Sequence, residues 1–113
     1  MIERVEKGWG HEIIFANSPE YCGKLLVFKK GKKFSLHYHL KKDETWYVAE
    51  GQFVCRLVET TTGEEKVSMF NKGESMHIPR GLPHQLEALE DSIIFEVSTQ
   101  HFDSDSYRIR KGD

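Results

Sequence analysis

The chain has 113 residues, the length of one ordinary domain, and 38% of them are apolar, more than a disordered chain carries. Sixteen Lys and Arg against eighteen Asp and Glu leave a net charge of −2 with no basic stripe to neutralise a run of phosphates, which argues against nucleic acid as a partner. The apolar runs at residues 25–28 and 93–95 are far shorter than the roughly twenty residues that span a bilayer, and Met1-Ile2-Glu3-Arg4 lacks the apolar core of a secretory leader, so one cytoplasmic domain over residues 1–113 is expected.

In chain order, alternating apolar and polar residues predict short strands over residues 11–15, 24–29, 33–39, 44–50, 52–59, 65–70, 75–78, 84–89, 92–98 and 107–110. Between them stand Lys30-Gly31-Lys32, Glu50-Gly51, Thr62-Gly63-Glu64, Asn71-Lys72-Gly73-Glu74, Pro79-Arg80-Gly81 and Glu90-Asp91, all combinations that favour tight reversals. No amphipathic helical period is long enough to make a helix. Many short strands at even spacing predict an all-β antiparallel sandwich or barrel. Cys22 and Cys55 fit no paired metal or redox spacing; both are expected to be reduced, with Cys55 a small apolar residue of a strand.

The residues that carry chemistry begin at Gly31 and read G-x5-H-x-H-x4-E-x6-G. His37 and His39 are two apart, so on a strand both imidazoles face one side. Glu44 follows a four-residue turn, Leu40-Lys41-Lys42-Asp43, which is expected to let the next strand return alongside and present its first carboxylate to the same side. A second pattern, Gly73-x5-Pro79-x-Gly81-x2-His84, brings a third imidazole. Three neutral imidazoles and a carboxylate form a mixed N/O set for one divalent transition metal, suited to Zn, Mn, Fe, Ni or Cu rather than Mg or Ca. His11, His77 and His101 are expected to be plain strand or loop residues.

The two patterns resemble the two signature motifs of the cupin superfamily, departing only where the family's usual Asn is Ala88. A narrower resemblance, over nearly the whole chain, is to the small cupin domain of type II mannose-6-phosphate isomerases. It rests on Lys7-Gly8-Trp9-Gly10-His11-Glu12, on Lys24, on Ser35-Leu36 and Trp46 around the ligand strands, on Ile78-Pro79-Arg80-Gly81, on Phe95-Glu96-Val97, and on Asp105 and Arg108. His37 stands where those isomerases tend to have Gln, and Lys41 where they have a further His. The resemblance implies a cupin jelly-roll (double-stranded β-helix) barrel holding one metal through His37, His39, Glu44 and His84, and a homodimer.

It also implies a small-molecule substrate, a sugar phosphate undergoing aldose–ketose isomerisation while chelated to the metal. By strand parity Glu96 shares a side with Ile94 and Ser98, which makes it a second carboxylate of the cavity and the expected base. Lys24 joins it in the catalytic set, Lys24, Arg80 and Arg108 are the cations for a phosphate, and Trp46 is a cavity wall. The three-histidine set keeps other readings open: an Fe(II)-dependent dioxygenase or metal-dependent lyase on a chelating substrate, or a non-catalytic sugar-binding barrel.

Overall fold

Alternation along the chain folds the described residues, 2–113 of a computed structural model, into eleven strands and no helix, and Met1 lies outside them. The strands are β1 Glu3–Lys7, β2 Gly10–Asn17, β3 Cys22–Phe28, β4 Leu36–Tyr38, β5 Glu44–Glu50, β6 Gln52–Val58, β7 Glu65–Asn71, β8 Ser75–Ile78, β9 His84–Ala88, β10 Ser92–Ser98 and β11 Tyr107–Arg110. Six form one antiparallel sheet in the order β1-β2-β3-β10-β5-β8, and five form a second in the order β11-β4-β9-β6-β7. The two sheets face each other as a jelly roll. No helix of the described residues is long and apolar enough to cross a membrane.

Inward residues change character along each central strand. β3 buries Lys24, Leu26 and Phe28; β5 buries Glu44, Trp46 and Val48; β9 buries His84, Leu86 and Ala88; β10 buries Glu96 and Ile94. One end of the interior is therefore apolar, where Trp9 stacks on Phe28 at 4.4 Å and Phe53 meets Phe28 edge-on at 4.9 Å. The other end is polar. Gly10 opens β2 at φ 148°, where an added Cβ would sit 1.9 Å from the Val27 carbonyl oxygen, so the Trp9-Gly10 pair admits nothing larger there.

Two elements differ from the sequence reading. β1 carries one apolar residue, Val5, amid Glu3, Arg4, Glu6 and Lys7; it is an edge strand held by backbone pairing to β2 and has no alternation to reveal it. The strand expected over residues 33–39 shrinks to Leu36–Tyr38, because upstream only an isolated Lys33–Glu87 bridge forms and the Phe34 carbonyl accepts from Gln85 Nε2 (2.8 Å) instead of a neighbouring strand.

Candidate metal centre

β4 and β9 pair at a single position, His37 opposite His84, which sets two imidazoles side by side with ring centroids 4.7 Å apart. His39 follows two residues on, as the alternation requires. Nitrogens of His37, His39 and His84 lie within 4.8 Å of one another, a group that could hold a metal ion. The β8–β9 turn is tied to this site, since Gly81, at φ 82°, donates its amide to the His39 carbonyl (2.7 Å). Open space surrounds the Gly81 Cα, so its backbone conformation, not crowding, calls for glycine.

Each ring is oriented through Nδ1. His39 Nδ1–H donates to the Asp105 carbonyl, His84 Nδ1–H donates to the Leu82 carbonyl (2.8 Å), and His37 Nδ1 lies 2.9 Å from Ser35 Oγ. A carbonyl only accepts, so His39 and His84 keep a bare Nε2, the form a metal ligand needs. Burial, with His39 alongside, pushes His37 down to about 3. Burial, with the charge of Lys42, pushes His39 down to about 4, and burial lowers His84 as well. All three are neutral at physiological pH.

Glu44 does not return alongside β4, as a hairpin would have required. β4 and β5 belong to different sheets, so residues 39–43 cross the gap between them and the carboxylate approaches the imidazoles from the facing layer. Trp46 Nε1 donates to Glu44 Oε1 (2.7 Å), whereas Oε2 is buried with no hydrogen-bond partner among the described residues. That orphaned oxygen lies 3.4 Å from His39 Nε2. Two bare acceptors face to face repel unless a proton or a cation lies between them, and an unpaired buried carboxylate oxygen is costly. The donor set therefore fits a divalent metal on its own chemistry.

Glu44 and Glu96 are driven in opposite directions. Burial, reinforced by Glu96, pushes Glu44 up to about 8. Glu96 is buried too, but Lys42 and Lys24 hold it down to about 2. Lys42, on the crossing turn, points inward with Nζ 3.3 Å from Glu96 Oε2 and 4.0 Å from Glu44 Oε2. Burial opposes its charge, but Glu96 and Glu44 outweigh that and raise it. Nothing in the sequence marks Lys42 as inward, because a lysine in a turn reads as solvent-facing.

These groups open into one cavity of about 600 Å³, the size of a small-molecule site. Lys24, Trp46, Glu96 and Arg108 all line it, and Arg108 is the cross-strand partner of His37. Lys24 is buried with Nζ 3.0 Å from Glu12 Oε1 and 3.3 Å from His101 Nδ1. His101, read as a plain loop residue, thus lines the cavity, and so does Lys111, to which the sequence reading gave no role. Arg80 is not brought there. It is exposed, and its Nε donates to the Lys41 carbonyl (2.8 Å) on the outside of the crossing turn.

A family model for the cupin domain matches residues 24–98, which include Lys24, His37, His39, Lys42, Glu44, His84 and Glu96. The chain belongs to the cupin family. It is 28% identical, over 78 residues and 69% of its length, to a mannose-1-phosphate guanylyltransferase of Sinorhizobium fredii (strain NBRC 101917 / NGR234), and spans only 14% of that relative. Among solved structures, the cupin resembles the capsular polysaccharide assembling protein CapF from Staphylococcus aureus, with 23% identity, a TM-score of 0.82, and coverage of 97% of this chain and 33% of that one. Oxalate decarboxylase from Bacillus subtilis aligns with a TM-score of 0.82 at 20% identity, over 96% of this chain and 30% of that one. At such identities the structural likeness speaks for the fold alone. Mn(II) centres have been studied in the oxalate decarboxylase.

Proposed function

We propose that this cupin is a metal-dependent enzyme acting on a sugar phosphate, of the aldose–ketose isomerase type, with His37, His39, His84 and Glu44 as the metal-binding set. One observation carries the reading. The cavity that holds those four groups and the buried Lys42–Glu96 pair is also lined by Arg108 and Lys111, two cations that form no ion pair among the described residues. The sugar phosphate named in the guanylyltransferase relative supports the same substrate class.

A divalent metal at such a site supplies Lewis-acid polarisation of a bound carbonyl. The chain's own residues do the rest. Arg108 and Lys111 hold the phosphate in place of Arg80, and Arg108 sits next to His37, so both ends of a short sugar phosphate are gripped at neighbouring strands. Glu96, kept ionised by Lys42 and Lys24, takes the proton from the carbon beside the carbonyl and returns it to the former carbonyl carbon, while the substrate's own hydroxyl proton passes from that neighbouring oxygen to the former carbonyl oxygen. Trp46 fixes Glu44 through its indole N–H, and Phe34 with Trp46 gives the cavity an apolar wall that excludes water.

The test is elemental analysis of untagged protein, followed by aldose and ketose phosphates assayed in D2O with and without oxygen. The reading expects one equivalent of transition metal, interconversion with deuterium entering beside the carbonyl, and loss of turnover but not of metal in Glu96→Gln. Oxygen consumption with bound iron points instead to a dioxygenase, and ligand-induced melting shifts without turnover point to a binding protein; either result sinks the isomerase.

The homodimer is proposed to form through the outer face of the six-stranded sheet. Ile13, Leu25, Val27 and Ile93 lie there with Phe15 (46% exposed), Tyr47 (45%), Phe95 (45%) and Val97 (60%), bordered by Arg4 opposite Ile13 and by Glu50 opposite Ile93. Taking roughly 200 Å² for a fully exposed aromatic side chain, the patch offers on the order of 500 Å² per copy, and a pair reaches the roughly 1,000 Å² a specific interface needs. Light scattering should find a dimer that Phe95→Asp converts to monomer with its metal retained; a monomeric parent protein overturns the assignment.

A further inference from the structure

Two stretches of chain cross from one sheet to the other at the polar end, and they lie against each other. Residues 39–43 leave β4 and enter β5, with His39 at their start and Glu44, the first residue of β5, directly after them. Residues 99–106 leave β10 beside Glu44, since Ser98 pairs with Glu44, and enter β11 beside His37, since Tyr107 pairs with Tyr38. The second crossing holds no residue of the proposed metal set. It does hold Asp105, a carboxylate only 3% exposed that forms no salt bridge with a lysine or arginine among the described residues.

Every bond of that carboxylate goes to the first crossing. Oδ1 accepts from the amides of Leu40 (2.9 Å) and Lys41 (3.1 Å), and Oδ2 accepts from Lys41 (3.1 Å) and Lys42 (3.0 Å). Three successive amides wrapped around an anion form a nest, which fixes the backbone conformation of the residues that donate. The Asp105 carbonyl meanwhile accepts from His39 Nδ1. Thr99 closes the other end, with its amide donating to the Asp43 carbonyl (3.1 Å) and its Oγ1 accepting from the Asp43 amide (3.1 Å).

We propose that Asp105 is the positioning residue of the metal centre: its carboxylate sets the conformation of the turn that spaces His39 from Glu44, and its carbonyl holds His39 with Nε2 bare. A four-residue span between facing sheets has many conformations, and only a few point His39 and Glu44 at one another and Lys42 inward. Asp105 selects among them with charge-assisted bonds to the backbone, independent of which side chains the turn carries. This rests on the metal set proposed above.

The experiment compares the parent protein with Asp105→Ala, Asp105→Asn and, as a stability control at the apolar end, Phe70→Leu. Long-range proton–nitrogen NMR on chelator-treated protein reads the His39 tautomer, and Co(II) titration followed by visible absorption reads affinity and ligand geometry. Asp105→Ala should mix the two His39 tautomers, weaken Co(II) by about 10–100-fold and change its spectrum, while Phe70→Leu, though less stable, should bind as the parent does. Asp105→Asn keeps one acceptor oxygen and nearly the same volume; it should fall between them, and it decides the matter where the alanine variant does not fold. Unchanged tautomer and affinity in the Asp105 variants, or an equal loss in Phe70→Leu, overturns the role of Asp105. A parent protein that takes up no Co(II) overturns the metal centre itself.

Discussion

The two ends of the interior share the same strands and differ in almost everything else. From one end of β3, β5, β9 and β10 to the other, the inward side chains go from Lys24, Glu44, His84 and Glu96 to Phe28, Val48, Ala88 and Ile94. The apolar end needs only volume and shape, since its packing is non-directional. The polar end must satisfy each buried atom individually, and it leaves Glu44 Oε2 with no hydrogen-bond partner among the described residues. One end of the barrel thus stabilises the fold so that the other can hold groups that oppose it.

That contrast can be broken in three ways. The largest effect is expected from Phe53→Ala, which empties the fully buried ring that meets Phe28 edge-on. Truncating such a side chain costs roughly 3–5 kcal/mol, to be read by chemical denaturation, and metal content per folded molecule should stay at the parent value. Glu44→Ala should do the reverse: a circular dichroism spectrum and denaturation midpoint close to those of the parent, with stoichiometric metal lost by elemental analysis. A collapse of the fold in Glu44→Ala, or a full equivalent of metal in it, would erase the division between the two ends.

The smallest effect is in pH. His39 is near 4 in the folded protein against an ordinary 6.5, so between those values the unfolded chain binds a proton that the folded chain excludes. Its contribution to stability is complete above pH 6.5 and is lost as the pH falls towards 4. Chelator-treated parent protein should therefore lose stability relative to His39→Gln across that window, whereas Phe53→Leu should run parallel to the parent. Parallel curves for His39→Gln would mean that burial does not hold this ring neutral.

Much of the candidate site was legible because its spacing is local. His37 and His39 share a face by alternation, Glu44 begins a strand whose buried residues are Glu44, Trp46 and Val48, and Glu96 follows the parity of Ile94. Lys42, Asp105, His101 and Lys111 were not legible in the same way. Each sits in a turn or beyond a strand end, where no period says which way a side chain points, and three of them acquire their place from a segment far away in sequence: Asp105 from residues 40–42, His101 from Lys24, Lys42 from Glu96. Arg80 shows the converse, a cation inside a motif whose nearest partner turns out to be the outward carbonyl of Lys41.

By itself the sequence determined that this is an all-β chain, which residues face inward along most strands, and that three imidazoles and a carboxylate stand at family spacings. Those follow from period and composition, which act over a few residues. Only the tertiary structure decided that Glu44 reaches the imidazoles from the opposite sheet, that His37 lies beside His84, and that Asp105 ties the crossing turn. Which strand neighbours which depends on how two whole sheets bury their inner faces together, a sum over distant residues that no short stretch contains.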